Sequence, residues 1–122
     1  MTASDLRYLI AADRLFDGEN GVKLTDIAAE TDVTKVSVYR AVERMEKNGY
    51  VCRNEKNKIV LTEEGKRSLR EYMATVRFLS EHFEKHCGVP AEIAYQDAIC
   101  TACALSDVSR KGIAAHIKEN EA

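Results

Sequence analysis

Residues 24–50 decide the fold and read LTDIAAETDVTKVSVYRAVERMEKNGY. Thr25 is expected to cap a short helix, residues 32–33 to form a turn, and Thr34 to cap a longer helix. Apolar side chains three and four positions apart give that longer helix one buried stripe, as in an amphipathic helix. The stripe consists of Val38, Val42 and Met45. Two helices joined by so short a turn indicate a helix-turn-helix motif.

The flanking segments extend this motif in both directions. A first helix is predicted at about residues 4–16, with Ser4 and Asp5 as its caps. After Gly49, which is expected to stop the second helix of the motif, two short extended runs at 50–53 and 58–61 read as a β-hairpin. Helix, turn, helix and hairpin in this order predict a winged helix-turn-helix head.

The second half of the chain is predicted to be helical. Thr62 is expected to cap a long helix that reaches Cys87 and carries an apolar stripe along five turns. The stripe consists of Leu69, Tyr72, Met73, Val76, Leu79, Phe83 and Cys87. Pro90 is expected to open the next helix, and Ser106 or Asp107 to cap a last one. The chain is therefore predicted to be mainly α, with a head at residues 1–65 and a helical dimerisation domain at 66–122.

Charge is distributed unevenly along the chain. Residues 34–70 carry ten basic and five acidic side chains, whereas the chain as a whole has a net charge of -2. Attraction to phosphate acts over only about one Debye length, ~8–10 Å at physiological salt. A local basic surface on an acidic protein therefore suits a reader of double-stranded DNA.

The candidate DNA-binding residues follow from how a helix enters the major groove. The first turns of the second helix meet base edges, and a hairpin wing reaches phosphates or the minor groove. The predicted contacts on the helix are Thr34, Lys35, Ser37, Tyr39 and Arg40. The predicted contacts on the wing are Arg53, Lys56 and Lys58. The alternative is that this head is a protein-interaction module, a use that winged helices also have.

Two longer stretches resemble the DtxR/MntR family of metal-dependent regulators, named for the diphtheria toxin repressor and the manganese transport regulator. The first is VKLTDIAAETDVTKVSVYRAVERMEKNGYV, followed by KIVLTEEGK with its Leu61, Thr62 and Gly65; the second is GVPAEIAYQDAICTACALSD. The resemblance implies a homodimeric repressor that binds a palindromic operator. It also implies control by manganese or iron.

The resemblance fails at the positions where the family binds its metal. The ligand positions of the first helix fall on Arg7 and Ile10, and that of the long helix falls on Val76 or Arg77. The ligands of the following helix fall on Ile99, Ala102 and Cys103. Only the last of these side chains can bind a metal, so we expect the manganese or iron site to be lost.

Cysteine and histidine residues offer a different site. Cys100 and Cys103 lie three apart on one helix, and His82 and His86 lie four apart on the preceding one. Two thiolates and two imidazoles suit Zn²⁺ better than Mn²⁺ or Fe²⁺, and the same cysteines can serve as a thiol redox switch. They can also be ordinary packing residues, because cysteine is often a small buried hydrophobe. No cofactor is therefore assigned.

Several classes of protein do not fit the sequence. It contains no glycine-rich phosphate loop, no Gly-x-Ser-x-Gly and no His-Glu-x-x-His, so an enzyme is not expected. No apolar run approaches the ~20 residues that cross a bilayer, and no signal-peptide pattern opens the chain. We expect a cytoplasmic protein whose cysteines stay reduced.

Overall fold

A computed structural model describes residues 1–121 and gives eight elements within them. The head contains α1 (Ala3–Leu15), α2 (Leu24–Thr31), α3 (Lys35–Lys47), β1 (Val51–Arg53) and β2 (Ile59–Leu61). Helices α4 (Glu63–Cys87), α5 (Ala91–Ala104) and α6 (Asp107–Glu121) follow. The mainly α fold with one small hairpin is the predicted one. The helices and strands whose bounds were predicted are confirmed to within one or two residues.

The chain forms two compact units. One, the head unit, comprises residues 4–69, and the other, the helical unit, comprises residues 1–3 together with the chain from Arg70 onward. Helix α4 begins in the head unit and continues in the helical unit. The predicted functional boundary between residues 65 and 66 stays a prediction.

The turn between α2 and α3 is built by two local features. Asp32 adopts the left-handed conformation with φ 55°, which ends α2, and its backbone N–H donates to the carbonyls of Ala28 and Ala29. Thr34 then caps α3 by accepting a 3.2 Å hydrogen bond from the Ser37 N–H. The predicted stripe of α3 is buried, so its opposite face is left for solvent or a ligand.

The wing is a two-stranded antiparallel hairpin. Val51 pairs with Leu61 and Arg53 with Ile59, as expected for short extended runs separated by a polar turn. Val22 adds an isolated bridge to Ile59 through two 2.8 Å backbone hydrogen bonds. The loop after α1 is therefore tied to the hairpin, which anchors the wing to the head.

The start of α4 explains why the sequence reads Leu-Thr-x-x-Gly there. Thr62 donates from its backbone N–H to the Tyr50 carbonyl at 3.0 Å and from its hydroxyl to the Gly49 carbonyl at 2.5 Å. The same hydroxyl accepts the Gly65 N–H at 3.0 Å and caps the helix. A Cβ atom on Gly65 would lie 1.9 Å from the Tyr50 carbonyl oxygen, so only glycine fits this close approach.

The helical unit has a core of small and branched side chains. Val76 on α4 and Ile99 on α5 are fully buried. The other buried apolar residues of α5 are Ala94, Ala98 and Ala102. Alanine at these positions lets helices approach closely. Cys87, the last residue of the predicted α4 stripe, is instead exposed, because it stands at the helix end.

Several predicted helix ends are wrong in detail. Asp5 does not cap α1; it lies inside the first turn and is buried. Thr25 also lies inside its helix, whose N-cap is Lys23, and Pro90 is the N-cap of α5 rather than its first residue. Of the two candidates before α6, Ser106 is the cap, since its hydroxyl accepts the Ser109 N–H at 3.2 Å.

Candidate nucleic-acid interface

The first turn of α3 holds its hydroxyl groups in a fixed arrangement. The Thr34 hydroxyl accepts the Ser37 N–H and donates to the Ser37 hydroxyl oxygen at 2.9 Å. Because Ser37 accepts this bond, its own hydroxyl hydrogen remains available to an external acceptor. Of the two predicted contacts, Thr34 is thus used as a cap, and Ser37 is the better placed donor.

The solvent-facing side of α3 carries the other predicted contacts. Lys35, Ser37, Tyr39 and Arg40 are all exposed, as is Thr34, so all five helix candidates lie on accessible surface. Val36 is exposed among them and was not a predicted contact. Its position two residues before Val38, and therefore on the side of the helix away from the buried stripe, was the sequence signal that could have identified it.

Asparagine shapes the tip of the wing. The Asn54 carboxamide oxygen accepts the backbone N–H groups of both Lys56 and Lys58 at 3.0 Å, and Asn57 takes the left-handed conformation with φ 60°. Lys56 is exposed at this tip, whereas Lys58 is half-buried. Lys56 is therefore the better placed of the two lysines for a phosphate contact.

Arg53 differs from the two lysines because its guanidinium is already bound within the head. Its Nε lies 3.0 Å from Glu46 Oε1, and its Nη1 donates to Asn57 Oδ1 at 3.2 Å. Its Cζ also lies 5.4 Å from the centre of the Tyr39 ring, within the range of a cation–π contact. Arg53 thus connects the wing to α3.

Tyr39 has a modified environment on the exposed side of α3. A hydrogen bond to Glu43, together with the negative charge of that carboxylate, raises the pKa of Tyr39 above its ordinary value of 10.0. The phenol is therefore neutral throughout the physiological range.

Some of the basic residues counted in the sequence are committed to partners in the protein. Arg44 forms an ion pair with Asp5 at 2.7 Å, and Lys66 and Arg67 pair with glutamates one turn earlier on α4. The cationic surface that faces outward is consequently narrower than residues 34–70 suggested. Lys35 and Arg40 on α3 and Lys56 on the wing are its exposed members among the predicted contacts.

Three of the positions where the resemblance would place metal ligands carry hydrocarbon side chains in the helical unit, and the fourth, Cys103, is half-buried. Val76, Ile99 and Ala102 are fully buried and carry no lone pair. Arg110, only 5% exposed, donates from Nη1 to the Ala102 carbonyl at 3.3 Å and to the Leu105 carbonyl at 2.5 Å. These residues do not fit a manganese or iron ion, because they offer no ligand and place a guanidinium beside the site.

The guanidinium of Arg110 is held from three helices. Besides the carbonyls at the end of α5, it pairs with Asp107 on α6, and its Nε lies 3.9 Å from a Glu71 oxygen on α4. Its Cζ lies 4.3 Å from the centre of the Tyr72 ring. Arg110 was not singled out from the sequence, because no local pattern marks a buried arginine.

The suggested zinc ligands are not assembled into one site. His82 Nδ1 lies 2.9 Å from the Phe78 carbonyl, and the His82 and His86 rings have centroids 5.2 Å apart. Cys100 is exposed and Cys103 is half-buried. Within residues 1–121, no group of three His, Cys, Asp or Glu side chains is arranged to hold a metal ion.

These features define a winged helix-turn-helix protein with an appended helical unit. A profile of the IclR helix-turn-helix domain matches residues 13–55, which covers α2, α3 and β1. The helix-turn-helix assignment is thus confirmed. Comparison with curated proteins gives no match.

Solved structures share the fold of nearly the whole chain. A hypothetical protein from Sulfolobus solfataricus is 18% identical, with a TM-score of 0.76, over 98% of this chain and 91% of its own. The manganese regulator SloR is 18% identical, with a TM-score of 0.80, over 97% of this chain and 55% of its own. IdeR from T. acidophilum is 19% identical, with a TM-score of 0.67, over 97% and 55%. The chain thus spans a little over half the length of these two regulators.

These likenesses establish that this chain shares its fold with those regulators. Helices long and apolar enough to cross a membrane do not occur in residues 1–121.

Proposed function

We propose that this protein is a transcriptional regulator, most simply a repressor, and not an enzyme. It binds a palindromic DNA operator as a homodimer. The observation that carries the proposal is the exposed face of α3, where Lys35, Ser37 and Arg40 stand on a helix whose opposite stripe is buried in the head. Arginine and lysine pair with guanine acceptors, and a serine hydroxyl serves bases or phosphates. Lys56 at the wing tip adds a phosphate contact beside the helix.

A homodimer is proposed on the apolar surface that the helical unit leaves uncovered in a single chain. Ile93 on α5 is 54% exposed and Val108 at the start of α6 is 81% exposed. Tyr72, Met73, Leu79 and Phe83 of the α4 stripe are only half-buried. Two-fold pairing of helical units would present two recognition helices to successive major grooves.

Control by manganese or iron is proposed to be absent. The buried side chains at the expected ligand positions are hydrocarbon, and Arg110 supplies a buried positive charge beside Ala102. The helical unit would then keep one arrangement without an ion. The operator would be bound in the metal-free state, and control would come from another input.

The test is a binding titration of the full chain with DNA selected from a random duplex pool, first in chelator under reducing conditions. Tight, sequence-selective binding in chelator is the expected result. A large gain with Mn²⁺ or Fe²⁺ would overturn the metal-free proposal, and failure to bind any duplex selectively would overturn the DNA-binding one. A gain with Zn²⁺ alone, lost in Cys100→Ser or Cys103→Ser, would favour a cysteine-based sensor instead.

A further inference from the structure

Arg53 is the most constrained cation of the candidate interface. Its side chain is 23% exposed, and its guanidinium is shared between Glu46 on α3 and Asn57 in the wing turn. Binding a phosphate would require it to give up a charge-assisted hydrogen bond to Glu46, which is among the stronger contacts that a side chain makes. The geometry therefore favours a role in which Arg53 holds other groups in place.

Tyr39 is the group that Arg53 holds nearest to the DNA-facing surface. The guanidinium carbon lies 5.4 Å from the ring centre, and Glu43, one turn further along α3, engages the phenol end of the side chain. Even so, 48% of Tyr39 remains exposed. Because Glu43 engages the phenol, the aromatic ring is the part of this side chain that can serve an apolar contact.

An aromatic ring on the first two turns of a recognition helix can make an apolar contact with only one kind of group on the base edges. In the major groove, thymine alone presents a methyl group, and apolar side chains recognise it by contact. Val36 is exposed three positions before Tyr39 and therefore on the same side of α3, which extends the apolar area.

We propose that Arg53 is a positioning residue that fixes the Tyr39 ring as a reader of a thymine methyl group in the operator. This inference rests on the proposed function, since it assumes that α3 enters the major groove. It assigns Tyr39 to base recognition and Arg53 to the support of Tyr39, with the phosphate contact left to Lys56.

The test uses the duplex selected by the wild-type full chain, with each thymine replaced singly by deoxyuridine, which removes only the methyl group. At one symmetric pair of positions, wild-type affinity should fall by about fourfold per methyl, the binding ratio that corresponds to one buried methylene-sized group. Tyr39→Ala should bind the thymine and uracil duplexes equally. If no uracil substitution weakens wild-type binding, or if Tyr39→Ala keeps the full difference, the inference is wrong although the proposed function stands.

Arg53 is tested by Arg53→Met, which keeps the length of the side chain without its charge, and by Arg53→Lys, which keeps the charge without the planar fork. Both should reduce the discrimination between thymine and uracil and leave the salt dependence of binding unchanged. Lys56→Ala is the matched control, since it should keep the discrimination but flatten the salt slope by ~0.9, the value of one phosphate contact. If Arg53→Lys keeps full discrimination, the planar guanidinium does not position the Tyr39 ring and the proposal fails. If Arg53→Met flattens the slope as Lys56→Ala does, Arg53 is a phosphate contact and the proposal also fails. Should Arg53→Met not fold, Arg53→Lys and Tyr39→Ala still decide it.

Discussion

Arg44 Nη2 on α3 lies 2.7 Å from Asp5 Oδ1 on α1, and the carboxylate is buried. The contact joins residues 39 positions apart and ties the first helix of the head to the helix proposed to read DNA. It also explains two features that local patterns did not: an acidic residue inside an apolar helix face and a basic residue withdrawn from the DNA-binding surface.

Removing either partner of this pair should destabilise the head unit. Arg44→Met takes the guanidinium away from a buried carboxylate, whereas Asp5→Asn keeps a hydrogen-bonding side chain of the same shape. We expect Asp5→Asn to lower the free energy of unfolding by ~1.5–3 kcal/mol, the range of a hydrogen bond to a charged group, and Arg44→Met to lower it by more. Urea unfolding provides the measurement. Asp13→Asn, on the exposed part of the same helix, is the control and should change little.

The two parts of the DNA interface should respond differently to substitution. Arg40→Ala and Ser37→Ala should relax sequence preference, with ~1–3 kcal/mol lost for each base-reading contact. A Lys56→Ala, Lys58→Ala double variant should weaken all duplexes alike and flatten the salt dependence. Binding isotherms at several salt concentrations separate the two effects. Unchanged operator affinity in both variants at moderate salt would contradict this mode of docking.

The proposed dimer should depend on the exposed apolar residues of the helical unit. Ile93→Lys combined with Val108→Lys should raise the dimer dissociation constant by at least about tenfold, since each buried aliphatic side chain is worth ~1.5–3 kcal/mol. Light scattering at micromolar concentration reports the change. Val36→Lys, at a valine of the head unit that is 60% exposed, should leave the dimer intact. A monomeric wild type would contradict the proposal at once.

Restoring acidic side chains at the expected ligand positions should damage the fold. Ile99→Glu together with Ala102→Glu places two carboxylates in the closely packed core of the helical unit, which should lower the free energy of unfolding by several kcal/mol. Thermal unfolding with and without Mn²⁺ tests this, with Ala91→Glu as the exposed control at the start of the same helix. Recovery of stability in the double variant on adding Mn²⁺ would show that a competent metal cavity persists.

The stability that Asp17 contributes, in the loop after α1, should depend on pH. Backbone hydrogen bonds from Asn20 and then Glu19, with the Asn20 side chain, lower the pKa of Asp17 from 3.8 to about 2. Because the folded-state pKa is depressed, the stabilisation is complete above pH 3.8 and is lost as the pH falls through about 2. The stability difference between wild type and Asp17→Asn should therefore be constant near neutrality and shrink over that window. A carbon-detected NMR titration of the Asp17 carboxyl that gives an ordinary value would contradict the interpretation.

The sequence alone determined the elements of this protein, because each depends on neighbours in the chain. The Thr34 cap, the turn at residues 32–33, the buried stripe of α3 and the hairpin all follow from spacing and turn chemistry within about ten residues. The same local signals placed Lys35, Ser37, Tyr39 and Arg40 on the exposed side of the recognition helix.

Only the tertiary structure decided which charged and small residues act at a distance. Periodicity shows which face of a helix is buried, but it does not show which charged side chain is buried in that face or which residue of another element contacts it. Three contacts require elements that are distant in sequence to pack first. They are the ion pair of buried Asp5 with Arg44, the enclosure of Arg110 by three helices, and the contacts of Arg53 with Glu46 and Tyr39. Likewise, Gly65 is explained by a contact with Tyr50, whose carbonyl oxygen would lie 1.9 Å from any Cβ at that position. The division of the basic residues between those that build the head and those left for DNA is therefore a property of the packed fold.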